Sequence, residues 1–162
     1  MLQTILILAT LLCSLVAGFL FAFAAVVMPG IRRLDDSGFI RAFQAIDGVI
    51  QNNQPLFLLV WVGSVLALLA ASVFGLWTLD GVDRVLVIAA AAVYLLCVQL
   101  PTAVINIPLN NALQKLDPGG MNEMTRKQAR ADFEARWNRW NVFRTACASV
   151  TSFVLLLLLL RL

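Results

Sequence analysis

A line of polar side chains interrupts the third apolar stretch of this chain. Their spacing of i, i+3, i+7 and i+11 places them on one face of an α-helix; they are Gln99, Thr102, Asn106 and Asn110. Polar groups inside a lipid bilayer are unfavourable unless they find hydrogen-bond partners. The pattern therefore predicts contacts either to the interior of a helix bundle or to a bound ligand.

A second polar group precedes the last apolar stretch. Trp137, Asn141 and Arg144 follow one another at i, i+4 and i+7 on one helical face, and Trp140 lies one turn before Arg144. Tryptophan, arginine and amides together can hold a flat aromatic ligand by stacking and its oxygens by hydrogen bonds. Interfacial anchoring by tryptophan and snorkelling by arginine are the structural alternatives.

A third polar group lies in the loop after the first apolar stretch. We predict a helix there from a cap at Asp36 or Ser37 to about Asn52. Its apolar stripe is Phe39, Phe43, Ile46 and Ile50, and its polar stripe is Gln44, Asp47, Gln51 and Gln54. This amphipathic helix could lie flat in the membrane interface or turn its polar face to the mouth of the bundle.

These three groups predict one pocket at the end of a bundle. Asp47 is the only acid that faces it, and two roles stay open: a general base, or the ion-pair partner of Arg144. We therefore predict Asp47 and Arg144 as candidate catalytic residues. The predicted substrate-binding residues are Asn106, Asn110, Trp137, Trp140, Asn141, Gln44 and Gln51.

Missing residue types narrow the chemistry. The chain has no histidine, which excludes histidine-ligated haem, histidine-rich copper or iron sites and histidine-based triads, and we predict no metal site. No glycine-rich phosphate loop occurs. No carboxylate lies at the centre of an apolar stretch, which argues against a proton-coupled exporter.

The composition places these residues in a membrane protein. Hydrophobic residues make up 61% of the chain and charged residues only 13%. A membrane-spanning helix needs about 20 apolar residues, and four stretches qualify. We predict an all-α fold, a single domain over residues 1–162 with spans at about 2–28, 55–79, 85–107 and 141–160. Pro101 and Pro108 should kink or interrupt the third span.

Basic residues are distributed unequally between the loops. Ten of the twelve lie after span one or between spans three and four, counting Arg144 at the entry to span four, and only Arg84 and Arg161 lie on the other side. By the positive-inside rule, both long loops face the cytoplasm and both termini face out, which fits a bacterial inner membrane. Because these cations follow a membrane boundary, we expect the lipid bilayer and not nucleic acid as the partner.

Span two carries a small residue at every fourth position: Gly63, Ala67, Ala71 and Gly75. Such a seam permits close helix contact. It could pack within the bundle or between two copies of the chain, so a homo-oligomer stays open.

Several of these residues also form a recognisable pattern. Asn106-x-Pro108-x-Asn110, a polar loop, and then Trp137-x-x-Trp140-Asn-x-x-Arg144 resemble the anthrone-oxygenase-like family of small four-span membrane proteins. Pro29 and the run Gln-Asn-Asn-Gln-Pro55 extend the likeness over nearly the whole chain.

The resemblance implies an oxygenase that converts an anthrone to an anthraquinone with molecular oxygen and no metal or organic cofactor. In that case Arg144, Asn106 and Asn110 would stabilise an oxyanion. Trp137 and Trp140 would stack on the substrate rings, and Asp47 would accept the proton. The alternative is a non-catalytic membrane protein that binds a small lipophile or a protein partner in the same pocket.

Overall fold

The computed structural model describes residues 1–162 as helices joined by short connections, with no strand. The predicted all-α fold is confirmed. Four of the five helices are long and apolar enough to cross a membrane, which identifies an integral membrane protein. The helices are α1 (Leu2–Ile31), α2 (Asp36–Gln51), α3 (Pro55–Thr78), α4 (Gly81–Gln114) and α5 (Glu123–Arg161).

Side-chain caps define where α2 and α5 begin. The Asp35 carboxylate accepts a hydrogen bond from the Gly38 backbone N–H at 2.7 Å and caps α2. The cap therefore lies one residue before Asp36, the earlier of the two predicted caps. Asn122 accepts from the Thr125 N–H at 2.9 Å in the same way. From there α5 continues without a break for 39 residues.

Two residues with positive φ make the tight connections on either side of α3. Asn53, with φ 59°, follows α2, and Gly81, with φ 50°, joins α3 to α4. Asparagine and glycine are the residues that adopt this conformation most readily. The second connection brings α3 and α4 together as an antiparallel hairpin.

The small-residue seam of α3 packs inside the bundle. A Cβ atom added to Gly63 would lie 3.2 Å from Leu12 Cδ1 of α1, and one added to Gly75 would lie 3.0 Å from Val87 Cγ1 of α4. Ala67 and Ala71 between them are buried. Helices without bulky side chains at a contact approach closely, so the seam is a contact between helices of one chain.

Helix α2 docks across the end of the bundle through polar contacts. The Gln44 side chain donates to the backbone carbonyls of Leu113 and Leu116, at 2.9 and 3.0 Å. The buried residues of α2 are three apolar residues and one acid: Phe39, Ile40, Phe43 and Asp47. Of the two predicted placements, the packing matches the one in which polar residues face the bundle mouth. The amphipathic character of α2 stays a prediction.

An arginine of α5 holds the connection between α1 and α2. Arg130 donates to the carbonyls of Arg32 and Leu34, at 2.8 and 2.9 Å, and pairs with the carboxylates of Asp36 and Glu134. The first loop is thereby attached to the extended part of α5.

Prolines change the hydrogen bonding of α1 and α4. A π-helical segment at Phe23–Val27 precedes Pro29, and two more, Tyr94–Gln99 and Thr102–Asn106, lie on either side of Pro101. Proline lacks the N–H that continues the regular ladder, and wider turns take up the difference. Such segments are frequent at functional sites. Here Thr102–Asn106 presents two polar side chains to the interior.

Candidate functional site

A cavity of about 260 Å³ lies where α2 closes the end of the bundle. Six aromatic residues form much of its wall, and six polar residues converge on it from α2, α4 and α5. The aromatic residues are Phe19, Phe23, Phe43, Phe57, Trp61 and Trp137; the polar residues are Asp47, Thr102, Asn106, Asn110, Asn141 and Arg144.

A chain of hydrogen bonds runs across one side of this cavity. The Trp137 indole N–H donates to Asn110 Oδ1 at 2.7 Å, and Asn110 Nδ2 donates to Asp47 Oδ1 at 2.7 Å. An indole can only donate and a carboxylate can only accept, so these partners determine the orientation of the Asn110 amide. Three helices, α2, α4 and α5, are joined by two bonds.

The other oxygen of Asp47 accepts two further amide N–H groups. Gln51 Nε2 donates at 2.7 Å and Gln114 Nε2 at 3.0 Å. Asp47 is 3% exposed, so these donors, with Asn110, replace the water that a free carboxylate would bind. A carboxylate offers about four acceptor positions, and three of them are occupied here.

Arg144 is buried in the wall of the same cavity and pairs with no carboxylate. It is 3% exposed; its guanidinium donates to Thr102 Oγ1 at 2.8 Å and to Asn141 Oδ1 at 3.0 Å. The predicted alternative of an Asp47–Arg144 ion pair is wrong, because the ion pairs of the chain include neither residue. Each charge is held by neutral hydrogen-bond partners instead.

Two buried polar atoms of the cavity residues have no hydrogen-bond partner. They are Nε of Arg144, a donor, and Oδ1 of Asn106, an acceptor. The Asn106 amide makes one long contact, 3.5 Å from Nδ2 to the Trp137 carbonyl. Buried groups are satisfied in most proteins, and an exception at a cavity is what a ligand-binding site predicts. A ligand that satisfied both atoms would offer an acceptor to Arg144 Nε and a donor to Asn106 Oδ1.

The structure brings six of the predicted residues together around this cavity: Asp47, Asn106, Asn110, Trp137, Asn141 and Arg144. The other three lie outside its wall. Gln44 binds backbone carbonyls, Gln51 supports Asp47 from behind, and Trp140 packs edge-on against Phe143 with ring centres 5.6 Å apart. From the polar line of span three, Gln99 accepts from Trp61 Nε1 at 2.9 Å and joins α3 to α4.

Sequence reasoning missed most of the aromatic wall and one polar partner. Phe19 and Phe23 are one turn apart on α1, and their ring centres are 4.9 Å apart. Nothing in an apolar span distinguishes such residues from ordinary core or lipid-facing side chains. Gln114 carries a signal, because it continues the line of Asn106 and Asn110 by one more turn.

The comparison with protein families supports the resemblance. A family model described as anthrone oxygenase matches residues 51–155. Searches of curated proteins and of solved structures gave no significant match. The matched segment is well over half of the chain, and it includes α3, α4 and the part of α5 that lines the cavity. The chain therefore belongs to the anthrone oxygenase family.

Proposed function

We propose that this membrane protein is a monooxygenase that acts, without a cofactor, on a flat phenolic or quinoid lipophile. The observation that carries the proposal is Arg144, a buried cation without a carboxylate, set in a cavity lined by aromatic rings. A buried charge that lacks a partner is strongly unfavourable. An anionic oxygen of a bound substrate would supply that partner.

The shape and lining of the cavity favour a compact ring system. Drug-sized ligands occupy pockets of about 300–1,000 Å³, and this cavity of about 260 Å³ lies just below that range. Trp137 lies between Phe23 and Phe43, with ring centres 5.6 and 5.5 Å away. Aromatic walls of this kind favour planar aromatic ligands.

The polar residues match the charge changes of the proposed reaction. Asp47 accepts a proton from the acidic ring carbon of an anthrone, and the electron pair of the broken C–H bond is delocalised across the ring onto the carbonyl oxygen. The Arg144 guanidinium stabilises that oxyanion, and Asn106 adds an amide contact. Asp47 and Arg144 both line the cavity and form no ion pair, so the proton acceptor and the anion site are separate groups.

The electron-rich anion then reacts with molecular oxygen at the same carbon. A carbon–oxygen bond forms, and protonated Asp47 returns its proton to the terminal oxygen of the peroxide. The hydroperoxide then loses water as its O–O bond breaks and the second hydrogen leaves the same carbon. The carbon has lost two hydrogens and gained a carbonyl; one atom of dioxygen is in the quinone and the other in water. Dioxygen is the oxidant.

One observation favours a second candidate, a membrane protein that binds a small lipophile or a protein partner without catalysis. The Asp47 carboxylate already accepts three amide N–H groups, which makes it part of a hydrogen-bond network between α2 and α4. In this candidate, the role of Asp47 is to orient the Asn110 amide, and it transfers no proton.

Oxygen uptake separates the two candidates. Purified protein in lipid nanodiscs is mixed with anthrone in an oxygen electrode, and the quinone is measured by absorbance. The oxygenase predicts that uptake and quinone rise together, one dioxygen per quinone, above the rate of spontaneous oxidation. Saturable binding of anthrone with no rate above that background would show the binding protein instead.

We also propose the orientation that the charge distribution predicts: a bacterial inner-membrane protein with both termini outside and both long loops in the cytoplasm. Ten of the twelve basic residues lie in or next to those loops. The cavity then opens near the cytoplasmic leaflet.

A further inference from the structure

A second cleft lies between the end of α1 and the middle of α5 and has no wall residue in common with the candidate site. Its volume is about 540 Å³. Its apolar wall includes Ala24, Met28 and Val142, and its polar wall is formed by Arg32, Arg33 and Asn138.

Polarity changes in one direction along this cleft. Helices α1 and α5 run antiparallel, because Asn141 Nδ2 donates to the Leu20 carbonyl and Arg32 lies beside Glu134. Ala24 and Val142 are therefore at one end, Asn138 follows, and the arginines are at the other end. Eight residues separate Ala24 from Arg32, which is about 12 Å along a helix.

The polar groups of the cleft are available to a ligand. Arg33 and Asn138 make no side-chain hydrogen bond or ion pair. Arg32 makes one long ion pair, 3.5 Å from Nε to Glu134 Oε1, with its side chain 76% exposed. The positive-inside rule accounts for arginines in the loop after α1. It does not account for an apolar cleft that leads from these arginines along the helix.

We propose that this cleft binds a phospholipid with an anionic headgroup. Arg32 and Arg33 hold phosphate oxygens, as guanidinium groups do. Asn138 donates to an ester carbonyl of the lipid, and the first acyl methylenes lie along Ala24, Met28 and Val142. Free phosphate could bind the two arginines as a lipid headgroup does, but it would leave the apolar end of the cleft empty.

The test is retention of lipid by the full-length protein. Protein in nanodiscs of phosphatidylcholine mixed with phosphatidylglycerol is extracted into mild detergent, and bound lipid is identified by native mass spectrometry. The parent should retain one phosphatidylglycerol. The double variant Arg32→Gln/Arg33→Gln should retain it about thirtyfold less well, because each cation near an anionic headgroup contributes about fivefold to the binding constant.

Two controls separate this site from general charge and from a simple anion site. The variant Lys127→Gln/Arg136→Gln removes the same charge from exposed positions on α5 and should retain lipid like the parent. Ala24→Phe fills the apolar end and should reduce lipid retention while both arginines remain. Equal losses in the two double variants would overturn the proposal.

Competition with inorganic phosphate tests whether the cleft binds a lipid or only an anion. Displacement of the bound lipid by millimolar phosphate, or undiminished lipid retention by Ala24→Phe, would show an anion site and overturn the lipid assignment. If the double variant does not fold, the exposed Arg33→Gln alone and Ala24→Phe carry the same comparison, with thermal unfolding as the check on folding.

Discussion

Arg144 and Asp47 line one cavity and form no ion pair. Each is 3% exposed, and each is held by neutral partners: Thr102 and Asn141 for the cation, three amide side chains for the anion. Opposite charges in a buried site gain most by direct contact. Because Asp47 and Arg144 are separated by more than ion-pair distance, neither charge neutralises the other, and both can interact with a bound molecule.

The separation predicts that removing the Arg144 charge does not destabilise the protein. Arg144→Met relieves a desolvation penalty of several kcal/mol and gives up hydrogen bonds to Thr102 and Asn141 of about 1–3 kcal/mol. We expect a Tm in detergent equal to or above that of the parent, with anthrone binding lost. A large fall in Tm would show that Arg144 has a structural role.

Asp47→Asn tests the proton acceptor. We expect kcat for oxygen uptake to fall by about 10²–10⁴-fold, the usual contribution of a general base, with anthrone affinity changed much less. Asp36→Asn is the matched control, because it makes the same change on the same helix at a carboxylate that pairs with Arg130. Unchanged kcat in Asp47→Asn would assign Asp47 to the support of Asn110.

Trp137→Phe tests the hydrogen bond that orients Asn110. A smaller aromatic ring replaces the indole and the indole N–H is lost, which leaves Asn110 Oδ1 without its donor. We expect the free energy of unfolding to fall by about 1–3 kcal/mol and KM to rise. Trp140→Phe, on the same helix but outside the cavity wall, should change neither quantity. Equal effects in both variants would contradict a specific role for Trp137.

The seam of α3 predicts a contrast between two glycines. A methyl group on Gly75 would lie 3.0 Å from Val87, whereas one on Gly18 would meet nothing within 4 Å. Gly75→Ala should therefore destabilise the protein by about 1–3 kcal/mol, and Gly18→Ala should leave stability the same or higher. Thermal unfolding in detergent measures both. Equal stability of the two variants would place the seam elsewhere.

The proposed orientation predicts where reporter proteins function. Alkaline phosphatase fused after Leu162 should be active, because it folds outside the cytoplasm, and a fluorescent protein at the same position should be dark. Insertion of the fluorescent protein between Gly119 and Gly120, in the second long loop, should restore fluorescence. The reverse pattern would invert the topology.

Much of the site follows from periodicity alone. The spacing of Asn106 and Asn110, and of Trp137, Asn141 and Arg144, predicts two faces, and the helices present both to one cavity. Periodicity also places Trp140 one turn before Arg144, and Gln51 one turn after Asp47, yet both lie outside the wall. Helical spacing gives an angle around one axis, but the neighbouring helix decides how far around that axis the cavity extends.

The amino-acid sequence by itself determined the class of protein, the four apolar helices and the family, because long apolar stretches and proline positions act locally. Tertiary structure alone decided which charges meet. Asp47 lies 63 residues from its Asn110 donor, and such a contact depends on how α2 packs across the bundle. That packing joins Asp47 to amides, leaves Arg144 without an anion, and so places an unsatisfied cation in an aromatic cavity.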